Sequence, residues 1–173
     1  VLYSNNNSSE TIYHPDDLLE KIEKCFSEGS PVRIESLDSE SEILLEGFIE
    51  GKEFSCIVVE DENENPIALP PTEIRKGKEL FDYRSKYLPG LSRKITTIEL
   101  PDEQIEKIRK ECERLFSVLD FDVYARIDGF ISKEGIIYLN DPNTTSGMMP
   151  SSFFFHQAAE IGLNPSQFLT FII

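Results

Sequence analysis

Hydrophobic residues recur at helical spacing in four segments of the chain. Apolar positions three and four residues apart fall on one face of an α-helix and predict a helix that packs against a core. The clearest segment is residues 100–119, whose apolar stripe consists of Ile105, Ile108, Cys112, Leu115, Phe116 and Leu119. Residues 14–29, 151–162 and 164–173 predict three further helices, and the first two of these end in a glycine.

Shorter apolar runs predict β-strands. “PVRIES” is one strand, and “ILLEGFIEGKEFSCIVVE” predicts two strands around a turn at Gly51. “IALPPTEI” predicts one strand at a sheet edge, because proline cannot donate a hydrogen bond to a neighbouring strand. “YARIDGFISKEGIIYLND”, residues 124–141, predicts a hairpin connected by “SKEG”. Strands and helices do not alternate strictly, so the pattern predicts an α+β fold with mostly antiparallel pairing.

Residues 76–98 fit neither the helical nor the strand period. They carry glycine, proline and alternating charges, and we expect a long ordered loop there. Loops of this length inside a compact domain are usually functional.

Composition narrows the class of protein. The chain has 173 residues, 39% of them hydrophobic, enough for one domain, or one and part of another, with a real core. The formal net charge of −15 argues against a nucleic-acid partner, although a few local cations can still bind an anionic ligand. No apolar run approaches membrane-spanning length, and the N-terminus lacks the order of a signal peptide. We therefore expect a cytoplasmic protein without a membrane partner.

The cysteines and the two ends of the chain add two expectations. Cys25, Cys56 and Cys112 are odd in number and follow no framework spacing, which favours buried, reduced thiols. The chain begins in “VLYSNNNSSE” and ends in “FLTFII”, and we expect a fragment of a larger protein or a chain with trimmed ends.

The predicted hairpin carries an unusual set of polar residues. If “SKEG” is a four-residue connection, Ile131 lies opposite Ile136, and Arg126 lies opposite Asp141. Side chains alternate between the faces of a strand, so Arg126, Asp128 and Asp141 then share one face. In this register the two carboxylates are diagonal neighbours that can reach one cation.

Two further residues bear on this geometry. Asn143 continues the same face if the strand extends past Pro142, whereas a bulge at Gly135 would shift the register by one residue. Carboxylate and amide oxygens are hard ligands, and Mg²⁺ takes few protein ligands beside waters and substrate phosphates. A simple ion pair involving Arg126 explains the hairpin about equally well.

The loop “NTTSGMMPSS” favours a functional site. Gly147 lets backbone N–H groups approach a ligand. The serines before the apolar run predict a helix start, which is suited to bind an anion. A cation site, an arginine, amide donors and a helix start together describe a site of phosphate transfer.

Four motifs, in this order, resemble the C-terminal half of the D-alanine–D-alanine ligases of the ATP-grasp superfamily. They are “LLEGFIEGKEF”, “FDYRSKYLPG”, “RIDGF” and “NDPNTTSGMMPSS”. The resemblance runs from about Ile43 to the C-terminus. It implies the end of a central ATP-grasp lobe over residues 1–46 and a C-terminal catalytic domain over residues 47–173, with an antiparallel sheet and helices on one face.

The resemblance also implies roles for individual residues. Those implied for ATP are Glu46, Phe48 and Ile49 at the adenine, Glu53 at the ribose, and Lys86 and Tyr87 at the transferring phosphoryl group. Asp128, Asp141 and Asn143 would bind the metal. Arg126 and the amide of Gly147 would stabilise an oxyanion, and Ser152 would bind a substrate carboxylate.

The activity implied by the resemblance is the ligation of two amino acids, with ATP and Mg²⁺ or Mn²⁺ as cofactors. ATP phosphorylates the carboxylate of one D-alanine, and the amine of a second amino acid attacks the acyl phosphate, a step of peptidoglycan synthesis. The implied partners are small-molecule substrates, and a homodimer is compatible with the resemblance.

The chain departs from the family in several places. Asp141 stands where glutamate is usual, Asn140 where an apolar residue supports the adenine, and Ser146 where proline is usual. The front segment has no counterpart of the family's phosphate-loop lysine, and we expect the chain alone to be inactive in ligation. Two alternatives stay open: a different ATP-grasp ligase, and a diverged domain that binds nucleotide without catalysing.

Overall fold

A computed structural model of the chain describes residues 2–3, 9–10, 17–20, 44–76 and 92–172. The chain forms two compact units, one of Val1–Phe48 with Lys76–Ser92 and the other of Ile49–Arg75 with Arg93–Ile173. Outside the described residues lie the strand predicted at 31–36, Cys25, Lys86 and Tyr87, and most of the helix predicted at 14–29. Residues 17–20 of that helix are helical.

In the first unit, three strands of two residues each form a small sheet. They are β1 (Leu2–Tyr3), β2 (Ser9–Glu10) and β3 (Leu44–Leu45). Their order is β2-β1-β3, and both pairs are antiparallel.

The second unit contains a six-stranded sheet and three helices. The strands are β4 (Gly51–Glu60), β5 (Pro66–Ala68), β6 (Thr72–Lys76), β7 (Ser92–Thr96), β8 (Tyr124–Ser132) and β9 (Ile137–Asn143). The helices are α1 (Asp102–Val118), α2 (Phe153–Glu160) and α3 (Pro165–Phe171). The strand order is β7-β6-β4-β8-β9, with β5 also pairing with β4. β4 pairs antiparallel with β5, β6 and β8, and β8 with β9, which confirms the predicted α+β, mainly antiparallel fold.

Helix α1 covers one face of this sheet. Its buried residues Ile108, Cys112 and Phe116 are spaced by four and pack against Phe54 and neighbouring apolar residues of β4 and β8. This stripe confirms the prediction from the sequence, except at its end. Leu119 caps the C-terminus of the helix and is 44% exposed, so it does not belong to the stripe.

Helices α2 and α3 cover the other face. Phe154 of α2 and Phe168 of α3 pack with Ile57 and Val59 of β4 in a second core cluster. The centre of β4 is therefore buried along six successive residues, the pattern of a strand enclosed on both sides. The expectation of helices on a single face was wrong, because the apolar run in β4 supplies both faces of the sheet.

The predicted turn at Gly51 and the predicted loop over residues 76–98 were also wrong. Gly51 does not form a turn but begins β4 and pairs with Ser132 of β8. A side chain at this position would overlap the carbonyl oxygen of Ile131, so the close pairing of the two strands requires glycine. Residues 76–98 are not all loop, because they include strand β7.

The strand predicted at residues 67–74 is in fact two strands, β5 and β6. Residues 69–71 separate them, and Pro70 and Pro71 carry no backbone N–H to continue the ladder. The prolines mark a break between strands: β6 lies between β7 and β4, whereas β5 pairs only with β4 among the described strands, so the predicted edge position holds for β5 and not for β6.

The side chain of Gln157 in α2 fills this break. Its Oε1 accepts a hydrogen bond from the N–H of Ile57 at 2.9 Å, and its Nε2 donates to the carbonyl of Ser55 at 2.8 Å. Nε2 also donates to the hydroxyl of Thr72 at 3.1 Å. Gln157 is fully buried, and buried backbone groups must be paired. Its amide therefore replaces a missing strand neighbour and fixes α2 to the centre of the sheet.

Cys56 and Cys112 are buried on the α1 face and form no disulfide. A hydrogen bond with Cys56 and burial raise the pKa of the Cys112 thiol well above its usual value. The protonated thiol is the unreactive form, so Cys112 serves as a core residue, and Cys56 is packed in the same core cluster. None of the helices in the described part of the chain is long and apolar enough to cross a bilayer.

Candidate active site on the β8–β9 hairpin

The hairpin of β8 and β9 has a register different from the predicted one. Ile131 pairs with Ile137, and Asp128 pairs with Asn140. Each pairing is one residue further along β9 than expected, so Asp128 does not face Leu139. This is the one-residue shift expected for a bulge at Gly135: the N–H of Ser132 bonds the carbonyl of Ile136, and Gly135 has a φ of 77°.

A bulge changes the register again near the end of β9. Arg126 pairs with Asn143, not with Asp141 as predicted, so Asp141 and Pro142 together face the single residue Ile127. Asp141 has a φ of 47°, in the left-handed region that aspartate tolerates better than most residues. Proline is tolerated here because β9 is last in the strand order. The bulge turns the exposed carboxylate of Asp141 out of the regular alternation of the strand.

Asp128 lies at the centre of the candidate site. Its Oδ1 accepts a hydrogen bond from the hydroxyl of Ser55 at 2.7 Å, and its Oδ2 lies 3.2 Å from Nη2 of Arg126. Burial raises the pKa of Asp128 and outweighs the opposite effects of Arg126 and Ser55. The negative charges of Asp141 and Glu53 raise this pKa further. Two further carboxylates are therefore within electrostatic reach of Asp128, and a bound cation would relieve this repulsion.

The donor set fits one Mg²⁺ with few protein ligands. No three Asp, Glu, His or Cys side chains form a metal cluster within the described ranges. Asp128 and Asp141 supply carboxylates, and Asn143 supplies an amide oxygen that already accepts the N–H of Thr145 at 2.9 Å. Such a set is incomplete alone, as expected for Mg²⁺, which fills its remaining positions with water and phosphate oxygens.

Arg126 contacts the loop that follows β9, and part of its hydrogen-bonding capacity is unused. Nη1 donates to the hydroxyl of Ser146 at 3.2 Å, and the side chain is 20% exposed. Nε of Arg126 and Oγ of Ser152 are both buried without a hydrogen-bond partner among the described residues. Leaving such a group unpaired costs about 1–3 kcal/mol. Each of these two atoms could be paired by a polar ligand.

The other predicted site residues are placed as follows. Glu46 and Phe48 are exposed and belong to the first unit, whereas Ile49 and Glu53 are half-buried and belong to the second. Gly147 is exposed, and a side chain there would meet no atom of the chain within 4 Å. The fold itself does not require glycine at this position, so its predicted role toward a ligand stays a prediction. Lys86 and Tyr87 lie outside the described residues.

Sequence reasoning missed Ser55, Gln157 and Lys94. Ser55 is a polar residue inside the apolar run “FSCIVV”, and a buried hydroxyl needs a partner, so its position was a usable signal. Lys94 was hidden by the prediction of a loop over β7. No sequence signal connects Gln157 to strand β4, because this contact spans 100 positions along the chain.

Comparison with known protein sequences indicates one family. The family model described as “D-ala D-ala ligase C-terminus” matches residues 30–173. The D-alanine–D-alanine ligase of Porphyromonas gingivalis is 34% identical over 156 residues, which are 90% of this chain and 43% of the relative. That of Acetivibrio thermocellus is 37% identical over 113 residues, 65% of this chain and 30% of the relative.

Comparison with solved structures indicates the same family. The crystal structure of the D-alanine–D-alanine ligase of Bacillus anthracis complexed with ATP matches with a TM-score of 0.70 and 30% identity. The match covers 99% of this chain and 51% of that one. The chain thus spans about half, or less, of the length of these relatives. The motifs, the antiparallel sheet with flanking helices and these matches place the chain in the D-alanine–D-alanine ligase family, of the ATP-grasp fold, as its C-terminal portion.

Proposed function

We propose that the chain is the catalytic C-terminal portion of an ATP- and Mg²⁺-dependent ligase that joins D-alanine to a second amino acid. The observation that carries this proposal is the environment of Asp128. This carboxylate is held by Ser55 and Arg126 and faces the charges of Asp141 and Glu53. Family membership and the ATP complex of the similar Bacillus anthracis enzyme support nucleotide as the ligand.

The proposed metal ligands are Asp128, Asp141 and Asn143. Mg²⁺, or Mn²⁺ in its place, would neutralise charge on the phosphates of ATP when bound there. Asp128 can bind the cation without moving, because Ser55 and Arg126 each bond one of its oxygens and leave further lone pairs. The exposed Asp141 supplies the second carboxylate from the bulge.

The remaining chain residues position the reacting groups in this proposal. Arg126 and the amide of Gly147 stabilise the oxyanion that forms when an amine attacks an acyl phosphate, and Ser152 bonds a substrate carboxylate. The nucleotide residues are Glu46, Phe48 and Ile49 for the adenine, Glu53 for the ribose, and Lys86 and Tyr87 for the phosphoryl group. Phosphorylation makes the first carboxylate reactive and releases ADP, and attack by the amine then releases phosphate.

The wider biology is proposed on the same basis. Residues 1–46 would be the end of the central ATP-grasp lobe and residues 47–173 the catalytic domain. The protein would act in the cytoplasm on ATP and D-alanine, in peptidoglycan synthesis, and pair with a second copy of itself.

Calorimetric titration with ATP tests the proposal. We expect tighter ATP binding with Mg²⁺ than with EDTA, and we expect Asp128→Ala to remove this difference. Glu62→Ala, which removes an exposed carboxylate from the loop between β4 and β5, should retain it. Equal Mg²⁺ dependence in the two variants would contradict the proposal.

A further inference from the structure

Lys94 lies beside the start of α2 and has no carboxylate partner among the described residues. Its Nζ donates a hydrogen bond to the carbonyl of Ser151 at 3.2 Å and lies 4.3 Å from the centre of the Phe153 ring. No carboxylate in the described part of the chain forms an ion pair with it. Both contacts fix the ammonium group over residues 151–153, although the lysine as a whole is exposed.

A second cation is close to the same place. Desolvation and the positive charge of Arg126 lower the pKa of Lys94, so the two like charges repel each other. Arg126 is paired with Asp128 through Nη2, but its buried Nε has no partner among the described residues. The neighbouring positive charges of Lys94 and Arg126 create a local potential that attracts an anion.

Ser152 supplies a third, neutral donor. Serine at the N-cap of a helix normally accepts a hydrogen bond from the first turn. Ser152 is the N-cap of α2 and makes no such bond, and its buried hydroxyl is unpaired within the described residues. The hydroxyl is therefore available to a ligand that lies next to the ammonium of Lys94.

We propose that Lys94 is a specificity residue that binds, together with Ser152, the carboxylate of the amino-acid substrate. This inference rests on the proposed function and adds a residue to it. A carboxylate has two oxygens, one for the compact charge of the lysine and one for the hydroxyl. The geometry does not need the residues outside the described ranges, because Lys94, Arg126 and Ser152 belong to one compact unit.

The test is an NMR titration of the isotope-labelled chain with D-alanine. We expect Lys94→Met, which keeps the aliphatic stem, to weaken D-alanine binding about tenfold, the value of one charge-assisted hydrogen bond. Lys94→Arg should restore most of the affinity. Lys110→Met, at an exposed position of α1, should bind as the unmodified chain does.

Two further probes identify the chemistry of the ligand. D-alaninamide lacks the carboxylate, so its weak binding should not differ between the chain and Lys94→Met. A titration with inorganic phosphate tests whether Lys94 binds a phosphate group instead of a carboxylate. Unchanged D-alanine affinity in Lys94→Met, no D-alanine binding to the chain at all, or a Lys94 dependence seen only with phosphate would each overturn the inference.

The D-alanine titration and the ATP titration test different claims and can fail independently. Loss of Mg²⁺-dependent ATP binding tests Asp128, and Lys94→Met should leave it intact. If ATP binds as proposed while the affinity for D-alanine is the same in Lys94→Met as in the unmodified chain, the inference fails and the proposed function stands. If ATP does not bind while D-alanine binding depends on Lys94, the proposed function fails and the carboxylate site stands.

Discussion

Two carboxylates of the same sheet have opposite environments. Asp128 is half-buried near the negative charges of Asp141 and Glu53, and partial burial raises its pKa. Glu73 is only 4% exposed, yet its pKa is lowered: burial acts against this direction, but hydrogen bonds from Arg75 and Lys52 outweigh it. A carboxylate whose charge is paired stabilises the fold, whereas one with further negative charges around it is a candidate ligand for a cation.

Glu73 gives the first test at the scale of single residues. Its oxygens lie 2.6 Å from Nε of Arg75 and 3.0 Å from Nζ of Lys52. The folded-state pKa is below the unfolded value of 4.5, so the unfolded chain binds more protons and stability rises with pH. The contribution of Glu73 is fully present above pH 4.5 and disappears as the pH falls through the lower folded-state pKa.

We therefore expect Glu73→Gln to lower the free energy of unfolding at pH 7 by about 1–3 kcal/mol. Urea unfolding at a series of pH values should show this difference shrinking as the pH falls below 4.5. Glu106→Gln, which removes an exposed partner of Arg109, should cost less than about 1 kcal/mol. A Glu73→Gln deficit that is independent of pH would show that the ion pairs do not cause it.

At the scale of elements, the pairing of β4 with β8 supports the site. This pairing brings Ser55 opposite Asp128 and runs from Gly51 to Val59. Its first pair depends on Gly51, because an added side chain would collide with backbone atoms of Ile131 and Ser132, which cannot rotate away.

Gly51→Ala should therefore destabilise the second unit by about 1–3 kcal/mol, the usual cost of overpacking. Gly147→Ala is the matched control, since an added methyl group there meets nothing within 4 Å. Its effect on the free energy of unfolding should stay within about 0.5 kcal/mol. Equal midpoints of urea unfolding for the two variants would contradict this account of the strand pairing.

The elements themselves were largely predictable from the sequence, and their junctions were not. Helix α1 follows from its apolar stripe, and α2 ends before Gly162 as predicted. The hairpin was predicted, but its register depends on the turn at residues 133–135 and on the bulge at Asp141. A bulge inserts one extra residue at a single position of a strand, so the alternation of apolar and polar residues does not reveal it.

The candidate site was predictable where its residues are close in sequence. Arg126 and Asp128 share a face because they are two positions apart on one strand. Ser55 and Lys94 reach the site from strands that are distant in sequence. Only the tertiary pairing brings them together, and local propensity carries no information about that pairing.

At the scale of the whole molecule, the net charge of −15 contrasts with the local cations of the candidate site. Lys94 lies over the start of α2, whereas Arg126 lies on the β8–β9 hairpin, paired with Asp128 and near Asp141. A site in which cationic and anionic side chains are neighbours suits a metal–phosphate ligand beside an amino-acid carboxylate. The family membership and these local charges support the same proposal.

The central claim is that the β8–β9 hairpin holds the metal of a metal–nucleotide complex. Electron paramagnetic resonance of Mn²⁺ in the presence of ADP tests it most directly, because free Mn²⁺ gives a signal that binding removes. We predict one bound Mn²⁺ per chain, lost in Asp128→Asn and weakened in Asp141→Asn, with Asp102→Asn on the exposed start of α1 as the control. Undiminished Mn²⁺ binding in Asp128→Asn would contradict the account.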